Sequence, residues 1–214
     1  MKSRASHQDT ELGSQNLSHT FESLELGLPG SHVVTTPNRV VLPDTMRAVV
    51  SAIRQGRQLR ASYTSLSRPE PAETILEPHT LVCTGNNWHL RAWCDSNREY
   101  RDFALSRFRS APEALRQRAK HTRDQDEDWN REVTLVITPD HRLTEAQQRI
   151  IARDYGMDDG RLEIHTRAAL TPYVLSRLGI TFDNEHPDPL VQQLELANPD
   201  QLGFGSRRER ALKA

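Results

Sequence analysis

The chain has 214 residues, 36% apolar and 27% charged, with a formal net charge of −1; it is long enough for one large core or two small ones and too apolar through its middle for wholesale disorder. No run approaches the roughly 18 apolar residues of a membrane span and the polar start is unlike a secretory leader, so the expected address is cytoplasmic, with no membrane partner. Charge is unevenly placed: residues 47–123 hold fourteen Arg or Lys against seven Asp or Glu, a surplus of +7, while 1–46 and 124–214 sum to −2 and −6, which draws any anionic partner to the middle.

Residues 1–42, rich in Ser, His, Thr and Gly, read as a flexible arm or linker. Leu42-Pro43-Asp44 precedes Met46, Val49, Val50 and Ile53, with Gly56 behind them; this spacing, with Pro at the start and Gly at the stop, predicts a helix opening a first domain over 43–123. Strands are expected at Leu59–Leu66, Thr74–Cys83, Trp88–Asp95 and Tyr100–Phe108. In the third, alternation sends Trp88, Leu90, Ala92 and Cys94 to a core face and His89, Arg91, Trp93 and Asp95 to a polar one. Ala111–Arg123 reads as helix or linker, and the acidic run Asp124–Asp128 as a solvated boundary. A second unit over 129–200 follows the order strand Glu132–Thr138, helix Thr144–Tyr155, strand Arg161–Thr166, helix Ala168–Leu178, which suggests a small α/β sandwich. A mobile basic tail, 201–214, carries Arg207, Arg208 and Arg210.

Motifs for hydrolytic, phosphate-loop, dinucleotide or zinc-protease chemistry are missing from the sequence. The expectation is therefore no catalytic residue, no cofactor, no metal and no enzymatic activity. Cys83 and Cys94 lie eleven residues apart and read as buried free thiols; convergence of His79, Cys83, His89 and Cys94 on zinc matches no closed-site spacing. What remains is a polar face: Tyr63 and Ser65 on the first strand, His79 on the second, His89 and Arg91 on the third, Arg101 and Arg107 on the fourth. Arginine forks pair with phosphate while Tyr and His stack on bases and donate hydrogen bonds. From periodicity alone, the same set equally suits the ordinary surface of a small barrel.

Four ordered motifs resemble a known family. Leu59-x-x-x-Tyr63-x-Ser65, Glu77-Pro78-His79-Thr80-Leu81-Val82, Trp88-His89-Leu90-Arg91-Ala92-Trp93-Cys94 and Tyr100-Arg101-Asp102-Phe103-x-Leu105-Ser106-Arg107-Phe108 are similar to WYL domains of phage-defence and stress-response regulators, with His89 in place of the usual Tyr. Asp128-Trp129 through Thr166-Arg167-Ala168-Ala169-Leu170 resembles the extension that follows such domains. The resemblance implies an α+β chain: an SH3-like small β-barrel binding a nucleotide, nucleic acid or other anionic effector, then a dimerising α/β extension. It also implies an N-terminal winged helix-turn-helix, which residues 1–42 do not resemble, so DNA contact is expected only through a missing or partner winged helix. Thr74 stands where the family often has a basic residue. A homodimeric, ligand-sensing transcriptional regulator is the leading expectation. A stand-alone protein that binds single-stranded nucleic acid or modulates a partner enzyme is the other.

Overall fold

The computed structural model describes residues 38–85, 87–181 and 186–202. Most of the expected arm and all but the first two residues of the expected basic tail lie outside them.

Helix α1 (Pro43–Gln55) begins with Pro at its first position, where a missing N–H costs nothing, and ends at Gly56, whose left-handed φ of 59° lets its N–H turn back to the Ala52 and Ile53 carbonyls. Thr45, Val49 and Ala52, spaced four and three apart, form its buried stripe. The stripe packs on strands β1 (Arg57–Tyr63) and β2 (Ala72–Cys83), which β3 (Trp88–Cys94) and β4 (Glu99–Ala104) extend. Leu59, Leu76, Leu90 and Phe103, one from each strand, meet Val49 and Ala52 in the first core.

All pairings are antiparallel, and the sheet runs β4-β3-β2-β1-β5. Strand β5 (Glu113–Arg118) corrects the expectation of helix or linker there. Its Glu-Ala-Leu-Arg-Gln-Arg sequence favours helix, but pairing of Ala114 with Leu59 and Glu113 with Arg60 overrides that preference at the edge of the sheet. The two edges, β4 and β5, do not pair, so the described strands form a curled open sheet rather than a closed barrel. An isolated bridge from Tyr63 to Phe108 draws the end of β1 toward the segment after β4. That segment is also shorter in strand than expected: β4 stops at Ala104 and Leu105–Arg107 is a 3-10 turn.

Two side chains expected in the core are not there. Trp88 is 39% exposed, and its register partner Cys83 is exposed too, because both form the last rung before the turn of the β2–β3 hairpin. Leu90, Ala92 and Cys94 are buried as alternation requires.

The second half is built on strand β6 (Glu132–Pro139), flanked by β7 (Leu162–Arg167) and the short β8 (Leu194–Leu196), all antiparallel in the order β7-β6-β8. Helix α2 (Glu127–Asn130) precedes it. Leu135 and Ile137 point from β6 into a second core with Ile151 of α3 (Glu145–Asp154) and Leu175 of α4 (Thr171–Arg177). A reciprocal capping box of Thr144 and Gln147 starts α3. Strand β8 carried no sequence signal; Asn198 secures its end by accepting the Val136 N–H and donating to the Thr134 carbonyl, both at 2.9 Å.

Candidate functional site

The polar face of β3 is reached through an irregularity in β2. The register steps from Pro78 opposite Ala92 to Thr80 opposite Arg91, so one extra residue, His79, is inserted as a bulge. Pro78 lacks an N–H and is tolerated in this central strand at the bulge. The bulge leaves His79 with Nε2 3.2 Å from Asp126 Oδ2 and Nδ1 2.8 Å from the Thr80 hydroxyl.

Arg91 is 5% exposed and Asp126 1%. Arg91 donates from Nε to Asp126 Oδ2 at 2.7 Å and from Nη2 to Oδ1 at 3.0 Å, a bidentate fork, and its Nη1 reaches Asp102 Oδ1 at 3.4 Å. Asp102 in turn accepts the Tyr173 hydroxyl of α4 at 2.9 Å. The Trp129 N–H closes the cluster on Asp126 Oδ1 at 3.2 Å and makes Asp126 the N-cap of α2. Burial by itself raises an acid's pKa, but the hydrogen bonds from His79 and Arg91 outweigh it and hold the Asp126 carboxyl well below the usual range. Burial disfavours the Arg91 charge, yet Asp126 and Asp102 raise its pKa above the ordinary value. Burial and the adjoining Asp102 charge drive the Tyr173 phenol upward, and burial with Asp126 and Glu77 pushes Tyr100 up to about 12. These groups form a continuous polar chain, His79–Asp126–Arg91–Asp102–Tyr173, from β2 to α4.

Aromatic rings pack around it. His79 stands edge-on to Tyr100 at 5.6 Å and to Trp129 at 5.8 Å, and Arg167 lies over the Trp129 ring at 5.3 Å. Next to His79, the buried Glu77 accepts the Lys120 and His121 N–H groups and the Gln58 amide. Burial pulls its pKa up and these donors bring it below normal. Glu77 thereby anchors the segment after β5 against β2.

The expected binding residues divide into groups. His79 and Arg91 share Asp126, and His89 lies beside them, its ring 4.9 Å from that of Tyr173. Tyr63 and Arg107 form a second group at the Tyr63–Phe108 bridge: the Tyr63 hydroxyl accepts the Ala104 N–H at 3.0 Å, and burial raises its pKa against the opposing effects of Ala104 and the Arg107 charge. Ser65 sits in the following loop, accepting the Arg68 N–H at 3.0 Å. Arg101 is apart from Arg91: Arg91 pairs across the sheet with Asp102, which puts Arg101 on the opposite pleat face, where it is 46% exposed and bridges Glu99 at 3.2 Å. Asp126 was not expected, because it stands in an acidic run that reads as solvated. The available signal was the Asp126-x-x-Trp129 spacing of an N-cap followed by a large aromatic residue.

Among the described residues, His79, Cys83, His89 and Cys94 do not converge on one point. Cys83 is exposed and Cys94 is in the core. Asp140, His141 and Glu195 do approach one another, but Asp140 already receives Nε and Nη2 of Arg142 at 2.9 and 2.6 Å. A groove of about 440 Å³ along β6 and β7, bordered by Thr134, His165 and Arg167, touches none of the expected binding residues.

Comparison with known proteins gives two domain matches: residues 44–112 match the WYL domain, and residues 132–202 match the family described as "BrxR transcriptional regulator, C-terminal dimerization domain". The chain carries a WYL domain followed by a BrxR-type C-terminal dimerization domain. It is 35% identical over 182 residues to the DNA-binding transcriptional repressor CapW of Stenotrophomonas maltophilia, covering 85% of this chain and 60% of that protein. To CapW of Pseudomonas aeruginosa it is 36% identical over 159 residues, covering 74% and 52%. The chain thus spans little more than half the length of these relatives. Among solved structures, the proteasome accessory factor PafBC of Arthrobacter aurescens aligns over 80% of this chain and 27% of that one, at 23% identity and a TM-score of 0.35. Within this chain, His79, Arg91 and Asp102 belong to the WYL match and Tyr173 to the dimerization-domain match, while Asp126 and Trp129 lie between the two.

Proposed function

We propose that this chain is the effector-sensing and dimerising portion of a cytoplasmic transcriptional repressor. The WYL sheet, read as an opened SH3-like barrel, takes an anionic effector, a nucleotide or single-stranded nucleic acid, on the face that carries Arg91, His79 and His89; Tyr63, packed on the first core, Ser65 and Arg107 form a separate group at the Tyr63–Phe108 bridge. The dimerization domain pairs two copies, and operator DNA is contacted by a winged helix that residues 38–202 do not supply. Arg101, turned to the other pleat face, contributes long-range charge only.

The observation that carries this reading is the chain from Arg91 through Asp102 to Tyr173. It gives an event at the WYL face a direct mechanical path to the dimerization domain. A ligand shifts an equilibrium only through contacts that differ between the two states, and a buried charge network with one end in each domain provides such contacts.

The test is light scattering with fluorescence anisotropy. A dimer of twice the chain mass should bind a single-stranded oligonucleotide saturably, whereas duplex binding should be sequence-independent and fade steeply with salt. A monomer at tens of micromolar, or a salt-resistant sequence-selective duplex complex, contradicts the reading.

A further inference from the structure

We infer that Asp126 is a tethered stand-in for the effector's oxyanion: the effector takes Arg91 and His79 only when Asp126 leaves, and its departure frees the segment that leads into the dimerization domain. This rests on the effector-binding reading above and assigns the regulation of that same site.

Four donors converge on the two oxygens of Asp126. Oδ2 receives Arg91 Nε and lies 3.2 Å from His79 Nε2, and Oδ1 receives Arg91 Nη2 and the Trp129 N–H. Three of the four donors belong to the WYL domain, while the carboxylate itself lies outside the match. The arginine fork that grips a carboxylate is the same geometry that grips a phosphate. A terminal phosphate offers three oxygens where Asp126 offers two. A donor to spare lies beside this cluster: the indole N–H of Trp129 is buried and has no acceptor among the described residues, and its ring packs edge-on against His79.

The stand-in is attached at the point where its loss matters. Asp126 caps α2, a helix of four residues that opens directly into β6 of the dimerization domain. If an oxyanion replaces Asp126, the Trp129 N–H loses its acceptor and the short helix loses its cap. Arg91, gripping a new partner, changes its hold on Asp102 and so on Tyr173. Because the competitor is part of the chain, apparent affinity falls by the fraction of molecules in which the site is open.

Calorimetric titration of the 214-residue protein tests this with three probes: inorganic phosphate, a nucleoside 5′-monophosphate and a 5′-phosphorylated single-stranded oligonucleotide. Wild type is compared with Asp126→Asn and with Asp124→Asn, which removes the same formal charge at an exposed position two residues away. Asp126→Asn should bind at least about tenfold more tightly, and Asp124→Asn should match wild type. Tight binding of the monophosphate assigns a terminal phosphate as the recognised group; binding of the oligonucleotide alone assigns a strand. Equal affinity of Asp126→Asn and wild type, or equal gains from both substitutions, overturns the stand-in and leaves the effector reading standing. Failure of every probe to bind any form overturns both. Should Asp126→Asn not fold, amide exchange at Trp129 in the wild-type protein decides: the oligonucleotide must accelerate it, and an unchanged or slower rate overturns the inference.

Discussion

Arg91 and Asp126 are 35 positions apart in the chain and share two hydrogen bonds, at 2.7 and 3.0 Å, with both side chains almost wholly buried. Removing one partner of such a pair strands the other in a place without water. Arg91→Ala is therefore expected to cost about 3–5 kcal/mol, and Arg91→Lys, which keeps the charge and loses the fork, less. Urea denaturation measures both; a loss below about 1 kcal/mol for the alanine variant would show that the pair behaves as a surface ion pair.

The chain from Arg91 to Tyr173 makes a second, sharper demand. Tyr173→Phe deletes one hydrogen bond to a carboxylate and should cost about 1.5 kcal/mol. Arg91 and Tyr173 both hold Asp102, so Arg91→Lys and Tyr173→Phe should be non-additive by at least about 0.5 kcal/mol in a double-mutant cycle. Strict additivity would mean that Asp102 does not connect them.

Neighbours on β3 should respond very differently to truncation. Leu90 is fully buried in the first core, and Leu90→Ala should cost about 2–5 kcal/mol. Trp88, two residues earlier and on the same pleat face, is partly exposed at the hairpin end, and Trp88→Ala should cost about 1 kcal/mol or less. Thermal melts of the two variants compare them, and equal losses would place Trp88 in the core after all.

Acid should expose the two buried carboxylates. Burial works against ionisation of Asp126 and Glu77, but donors overcome it and both have pKa values lowered by folding. Each therefore contributes stability that is complete above the unfolded carboxylate value, about 4, and lost as pH falls through the lower folded value. Wild-type melting temperature should drop steeply below about pH 4, and Asp126→Asn should be the flatter of the two over that range. Parallel curves would contradict the ionised Asp126.

How much of this could be read from the sequence depended on whether the deciding contact was local. Helix α1 was legible because its stripe, its Pro and its Gly lie within fourteen residues, and β3 was legible because alternation is a local pattern. Strand β5 was not, since only pairing with β1 makes an exposed, helix-favouring segment extended. Of the site, His79 and Arg91 could be nominated from strand faces and from the resemblance, but their common partner could not. Asp126 and its neighbours look alike in the sequence, and only the bulge at His79, the turn of Arg123–Gln125 and the cap on α2 single out one of them for burial. The same limit explains Arg101: strand parity placed it with Phe103, but only the pairing of Arg101 with Ala92 and of Asp102 with Arg91 shows that this face is turned away from Arg91.

Binding at the WYL face must be felt in the dimerization domain if Asp126 is displaced and Arg91 changes its hold on Asp102. Amide hydrogen exchange of the wild-type protein, with and without a saturating 5′-phosphorylated single-stranded oligonucleotide, measures this directly. The account predicts protection along β3 together with faster exchange in α2 and an altered rate in α4, residues 171–177. Protection confined to the WYL strands, with α2 and α4 unchanged, would contradict it.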